Sequence, residues 1–256
     1  MKRGQVTVFI IVGILLLLIF ALILFFKGSS SKTDLETSKV EGSFENLNIL
    51  QIEQTCLNSV SKEAVLFIAG HGGYYDLPEK NYNSQVPLYL DAEGNYFPTL
   101  EVLEREISKY VEKQMDFCLH DVLEAIGSEL IIGIPQASVR IFPEKVSVIL
   151  NQKIEHEYES GVQTKDVFSQ EVPVRLGTIH SLLSEFMEQE TNDRHCASCL
   201  SLLAQANELN VENYFADSST FVFVIRDDKV LVRNTPFVFM FANIYNFKAP
   251  DFEVGG

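Results

Sequence analysis

The residues best equipped for chemistry are four cysteines, Cys56, Cys118, Cys196 and Cys199, and five histidines. Two of the thiols form a Cys-x-x-Cys pair in His195-Cys196-Ala197-Ser198-Cys199, at the start of a helix expected over Ala197 to Leu209. The positive end of a helix stabilises a thiolate, and a thiolate is what disulfide exchange needs. His195, Cys196 and Cys199 also offer three zinc ligands, with His180 as a candidate fourth. A His and a Cys adjacent in sequence do not readily share one metal, and no second paired motif is present, so no metal is expected. Covalent haem would need a His after the second Cys, where Leu200 stands.

Outside a reducing compartment, an even number of cysteines defaults to structural disulfides. Four allow three pairings. Cys56 with Cys118 is favoured because both fall on predicted helices expected to be neighbours, leaving Cys196 with Cys199; the crossed pairings stay open. The redox alternative has one further point of support. Thr235-Pro236 before an apolar strand is similar to the Pro loop that faces the active cysteines in thioredoxin-like proteins. That fold places a strand directly before the motif, whereas Thr178 to Glu190 reads here as helix. His120 with Asp121, and Glu155-His156-Glu157, have the composition of acid–base pairs, but solvated charges explain them more simply. Gly70-His71-Gly72-Gly73 lacks the Lys-Ser/Thr of a phosphate loop and reads as a helix stop. No nucleophile elbow, His-Glu-x-x-His helix or Ca²⁺ loop is found in the sequence. Neither an enzyme nor a cofactor is therefore expected.

The elements that would position these residues follow from periodicity. Leu50, Leu57, Val60, Ala64, Phe67 and Ile68 mark one face of a helix over Leu47 to Gly70. Val86 to Leu90 and Tyr96-Phe97 read as a short hairpin about Asp91 to Asn95. Pro98-Thr99 opens a second amphipathic helix reaching roughly Cys118. Strands are expected over Val139 to Phe142, Val146 to Leu150, Lys153 to Tyr158 and, more briefly, Val167 to Leu176. A helix is expected over Thr178 to Glu190. Phe221 to Arg226 and Lys229 to Arg233 read as a hairpin about Asp227-Asp228, followed by the apolar run Phe237 to Ala242, which suits a strand buried on both faces. The result is an α+β head of amphipathic helices on antiparallel hairpins, with subdomains over 47–130 and 131–256.

Ahead of the head lies a different kind of sequence. Val6 to Phe26 is 21 residues without a charge, enough for a helix of roughly 30 Å, the thickness of a bilayer's hydrocarbon. Lys2 and Arg3 precede it, and the chain beyond Lys32 turns acidic, which favours a cytoplasmic N-terminus. Lys2-Arg3-Gly4-Gln5 followed by Val6-Thr7-Val8-Phe9-Ile10 resembles the class III signal of archaeal type IV pilin-like proteins. The resemblance covers about the first 26 residues. It implies a leader over 1–4, cleavage between Gly4 and Gln5 by a prepilin peptidase, and a retained transmembrane helix over 5–27 able to self-associate. Gly28-Ser29-Ser30-Ser31 then opens a linker over 28–46, where pilins usually continue the helix. The wider pattern, an anchor and then a head with a Gly-Gly-Tyr turn after its first helix, is similar to uncharacterised archaeal surface proteins.

Composition agrees with a folded, extracytoplasmic head. The chain is 46% hydrophobic with 19 Phe, unlike a disordered acidic tail. Setting aside Lys2, Arg3 and Lys27 leaves 17 basic against 35 acidic residues, so nucleic acid is not an expected partner. The expected partners are the lipid bilayer, prepilin peptidase and other copies of the N-terminal helix. The expected role is a pilin-like subunit, adhesin or binding module of the cell envelope. The alternative is a membrane-tethered thiol-disulfide oxidoreductase using Cys196 and Cys199.

Overall fold

A computed structural model describes residues 49–126, 130–158, 161–192 and 199–245. The leader, the apolar run and the linker lie outside them. Among the described residues no helix is long and apolar enough to cross a membrane.

The head, which is a compact unit from Leu47 onward, is α+β. Helix α1 (Ile49–Gly70) buries Leu57, Val60, Ala64, Val65 and Ile68 on one side, as its spacing predicts. It stops where Gly72 and Gly73 take positive φ and Gly73 N–H donates to Ile68 O at 2.7 Å. Gly72 is needed for a second reason: a Cβ there would lie 2.5 Å from the Met240 carbonyl oxygen. Strands β1 (Asn81–Tyr82) and β2 (Val86–Leu90) follow, then α2 (Leu100–Ile126), whose Leu103, Ile107, Val111 and Met115 are fully buried. The sequence expects α2 to end near Cys118, but no Gly or Pro interrupts it before Gly127, and it continues to Ile126.

Strands β3 (Leu130–Ile132), β4 (Gln136–Ile141), β5 (Val146–Tyr158) and β6 (Gly161–Val172) form one sheet. β4 pairs with the first half of β5 and β3 with the second half, while β6 pairs along its length. The strands expected at Val146 to Leu150 and Lys153 to Tyr158 are thus one strand, irregular between Asn151 and Ile154. Helices α3 (Leu176–Asn192) and α4 (Cys199–Ala206) lead into β7 (Asn210–Phe215), β8 (Thr220–Val232) and β9 (Thr235–Ile244). The second sheet has the order β1-β2-β9-β8-β7, and its β2–β9 pairing is parallel rather than antiparallel.

Two expected turns are corrected. After β2 the chain does turn, with Asp91 Oδ1 accepting from the backbone N–H groups of Glu93 and Gly94, but Tyr96-Phe97 forms no strand and only a Leu90–Asn95 bridge joins the two arms. Asp227-Asp228 is not a hairpin tip. β8 runs through it, and the reversal falls at Arg233-Asn234, both with positive φ, the geometry of a tight hairpin turn. The reason is an ion pair the sequence does not announce. Asp227 is fully buried, and its two carboxylate oxygens accept from Arg175 Nε at 2.7 Å and Nη2 at 2.8 Å. Arg175 also donates to the carbonyls of Asn207 and Glu208, so one guanidinium fastens the approach to α3, the turn after α4 and the irregularity in β8.

A single hydrophobic cluster draws on both stretches, 47–130 and 131–256. Phe237, Phe239 and Phe241 on β9 point into it; Phe241 stacks on Tyr89 and Phe223, and Phe186 of α3 meets both Phe223 and Phe241 edge-on. On the other face, Val86, Leu88, Val222 and Ala242 form a small second cluster, so β2 is buried on both sides. Replacing Arg175 with Met strands the Asp227 charge and is expected to cost roughly 3 kcal/mol in urea unfolding. The double variant R175M/D227N is expected to recover part of that loss, whereas an additive second loss would remove the pairing from the account.

Candidate functional site

Cys56 on α1 and Cys118 on α2 are joined in a disulfide with their Cα atoms 6.0 Å apart. This is the pairing the sequence favours. Cys199 is disulfide-bonded as well. Cys196, His195, Gly4 and Gln5 lie outside the described residues. Pro236 does not form a loop of the thioredoxin type: it lies within β9, paired with Leu231 of β8, and no described peptide bond is cis. His180, the candidate fourth zinc ligand, has its Nε2 3.0 Å from Pro98 O and its ring against Phe97. His71 is similarly engaged, with Nδ1 2.8 Å from Phe67 O. Among the described residues no group of three or more His, Cys, Asp or Glu could hold a metal ion. Glu155 pairs with Lys153 at 2.6 Å, and the side chains of His120, Asp121, His156 and Glu157 lie outside the described residues.

The disulfide sits beside a structure the sequence does not single out. α1 and α2 run antiparallel, since Cys56 meets Cys118 and Phe67 meets Tyr110. One residue before Cys118, Phe117 lines a hollow together with the connection from β3 to β4. That connection is held down at Gly133, whose N–H donates to Lys153 O at 2.7 Å and whose carbonyl accepts from Gln152 Nε2 at 2.9 Å. The local irregularity of β5 supplies both partners. The result is a hollow of about 620 Å³ lined by Lys113, Asp116, Phe117, Leu119, Ile132 and Ile134. Of the lining residues, Phe117 is 60% exposed and Ile134 84%. Among the described residues, no nucleophile with a base and no pair of facing carboxylates lines it. What it offers is apolar surface with a cation and an anion at the rim.

Next to it, α2 closes the outer edge of β4 without a strand. Glu104 and Glu112 carboxylates accept from the backbone N–H groups of Ile141 and Ala137 at 3.0 and 2.9 Å. These side chains satisfy donors that would otherwise recruit another strand.

One turn before Cys56, Glu53 is fully buried, and both of its oxygens lack a hydrogen-bond partner. Burial pushes its carboxyl up to about 7, with the Lys165 ammonium pulling the other way. Comparison with family models, with curated proteins and with solved structures finds no match to this chain.

Two outcomes follow from this geometry. The disulfide closes a loop of 62 residues, so its loss in C56S/C118S is expected to cost roughly 4 kcal/mol of stability by chain entropy, read by urea unfolding. Glu53 binds its proton more tightly in the folded chain than in the unfolded one, so it favours folding below its ordinary value near 4.5 and opposes folding increasingly as pH rises to about 7. Glu53→Gln is therefore expected to match the parent at pH 4.5 and exceed it by roughly 3 kcal/mol at pH 8. Stability curves that stay parallel across that range would contradict the assignment.

Proposed function

We propose that this protein is a single-pass, membrane-anchored component of the cell envelope, its α+β head held outside the cytoplasm. In this reading it serves as a pilin-like subunit or as an adhesion or binding module. The observation that carries the reading is the Cys56–Cys118 disulfide between two core helices, which suits an oxidising compartment. It agrees with the uncharged run Val6 to Phe26 and the basic residues Lys2 and Arg3 before it. The finer elements belong to the same proposal: leader cleavage between Gly4 and Gln5, a retained helix over 5–27 packing against lipid or other copies, and a linker over 28–46. The largely apolar lining of the hollow beside the disulfide, among the described residues, favours binding over catalysis. Thiol exchange at Cys196 and Cys199 is the less favoured reading, because helix α3 precedes the pair and Pro236 is tied into a strand.

The test is the intact mass of the full chain extracted from membranes of cells containing a prepilin peptidase. The expected mass lacks Met1 to Gly4. A chain that keeps Met1 to Gly4 removes the pilin-like part of the proposal, and a chain found in the soluble fraction removes the anchor.

A further inference from the structure

The outer strand of a sheet presents unpaired backbone groups that recruit other chains, and four of the five outer strands among the described residues carry a guard against this. The edge of β4 is closed by the Glu104 and Glu112 carboxylates. β1 and β3 are only two and three residues long. β6 carries Lys165, Asp166 and Glu171 along its exposed length. β7 has none of these devices. It is six residues long, regular against β8, free of Pro and Gly, and charged only at Glu212. Among the described residues nothing pairs with its outer side, and Tyr214 is 53% and Phe215 64% exposed.

The pairing with β8 fixes which backbone groups point outward. Ala216 N–H donates to Thr220 O, so the even-numbered residues of β7 turn their N–H and C=O groups toward β8. Val211, Asn213 and Phe215 turn theirs away from the sheet. An antiparallel partner must set outward residues opposite outward residues, and for a second β7 this leaves two registers that engage most of the strand. One centres on residue 212 and sets Glu212 directly against its own copy, which like-charge repulsion opposes. The other centres on residue 213 and is self-complementary. In it Asn213 meets Asn213 of the second copy, Glu212 meets Tyr214, and Val211 meets Phe215, each of the last two pairs occurring twice. Phe215 lies on the same face as Phe221, their rings 3.9 Å apart, so this register lays an apolar side chain beside an exposed aromatic at the edge of the core. We infer that β7 is a self-docking edge, at which two copies of this chain pair antiparallel about a two-fold axis through Asn213 and join their five-stranded sheets into one. Each copy carries a net charge of −15, so the pairing strengthens as salt screens the repulsion between them.

The test adds one cysteine to the full chain, extracted in mild detergent. In this register the two Asn213 Cα atoms lie roughly 5.5 Å apart, within disulfide reach, whereas the two Asn210 Cα atoms lie roughly 20 Å apart. No described cysteine is free, so the added thiol carries the signal. On mild oxidation Asn213→Cys is expected to give roughly ten-fold more covalent dimer than Asn210→Cys, with a 213-to-213 link in the peptide map and a higher yield at high salt. A mixture of Glu212→Cys and Tyr214→Cys makes the same test at a second place, since these residues face each other across the axis, and is expected to crosslink one variant to the other. Equal dimer from Asn213→Cys and Asn210→Cys reports chance collision and overturns the pairing. Absence of both crosslinks overturns it as well, whether the chain is then monomeric or associates through another surface.

Discussion

The constraint on which the head depends is that α1 must serve two sheets at once. Its first half lies over β5 and β6, where Gln54 reaches the Ser169 carbonyl, and its last turn abuts β9, where only Gly72 fits under the Met240 carbonyl. A helix with two such obligations needs its position along the axis fixed. The bond from Cys56 to Cys118 does this, because it ties α1 to α2 and α2 in turn closes the edge of β4 through Glu104 and Glu112. Sliding α1 by one turn would break the disulfide geometry and the Gly72 contact together.

Charge is handled in two ways in this acidic chain. Where carboxylates do structural work they are matched: Asp227 by Arg175 and three elements' worth of contacts, Glu104 and Glu112 by backbone donors. Glu53 has no such match and is retained near the N-terminal end of α1's buried face at a cost that grows with pH. Around the hollow apolar side chains are exposed instead, as they also are at Leu202, Phe215 and Leu231.

Much of this was legible in the sequence, and the rest was hidden for identifiable reasons. The stripes of α1, α2 and α3 and the favoured disulfide follow from helical spacing and from two cysteines on successive helices. The β8–β9 reversal was misread because Asp227-Asp228 has turn composition, while the residue that neutralises Asp227 lies 52 positions earlier at Arg175. Asn234 was the local signal, a residue that tolerates positive φ. β7 and residues 164–167 of β6 are exposed on edge strands, and strands that bury little leave no alternation to find. The hollow could not be seen at all from the sequence, since Phe117, Ile132 and Ile134 come together only after β3 and β4 share one edge of β5.

A head stapled between its first two helices is the centre of the account. Peptide mapping tests it most directly, on protein taken from native cells with thiols blocked at lysis and never reduced. The account predicts a peptide containing Cys56 covalently joined to one containing Cys118, with neither residue alkylated. Blocked, unpaired Cys56 and Cys118 would contradict both the proposed compartment and the constraint that fixes α1, and a crosslink from Cys56 to Cys196 or Cys199 would contradict the constraint.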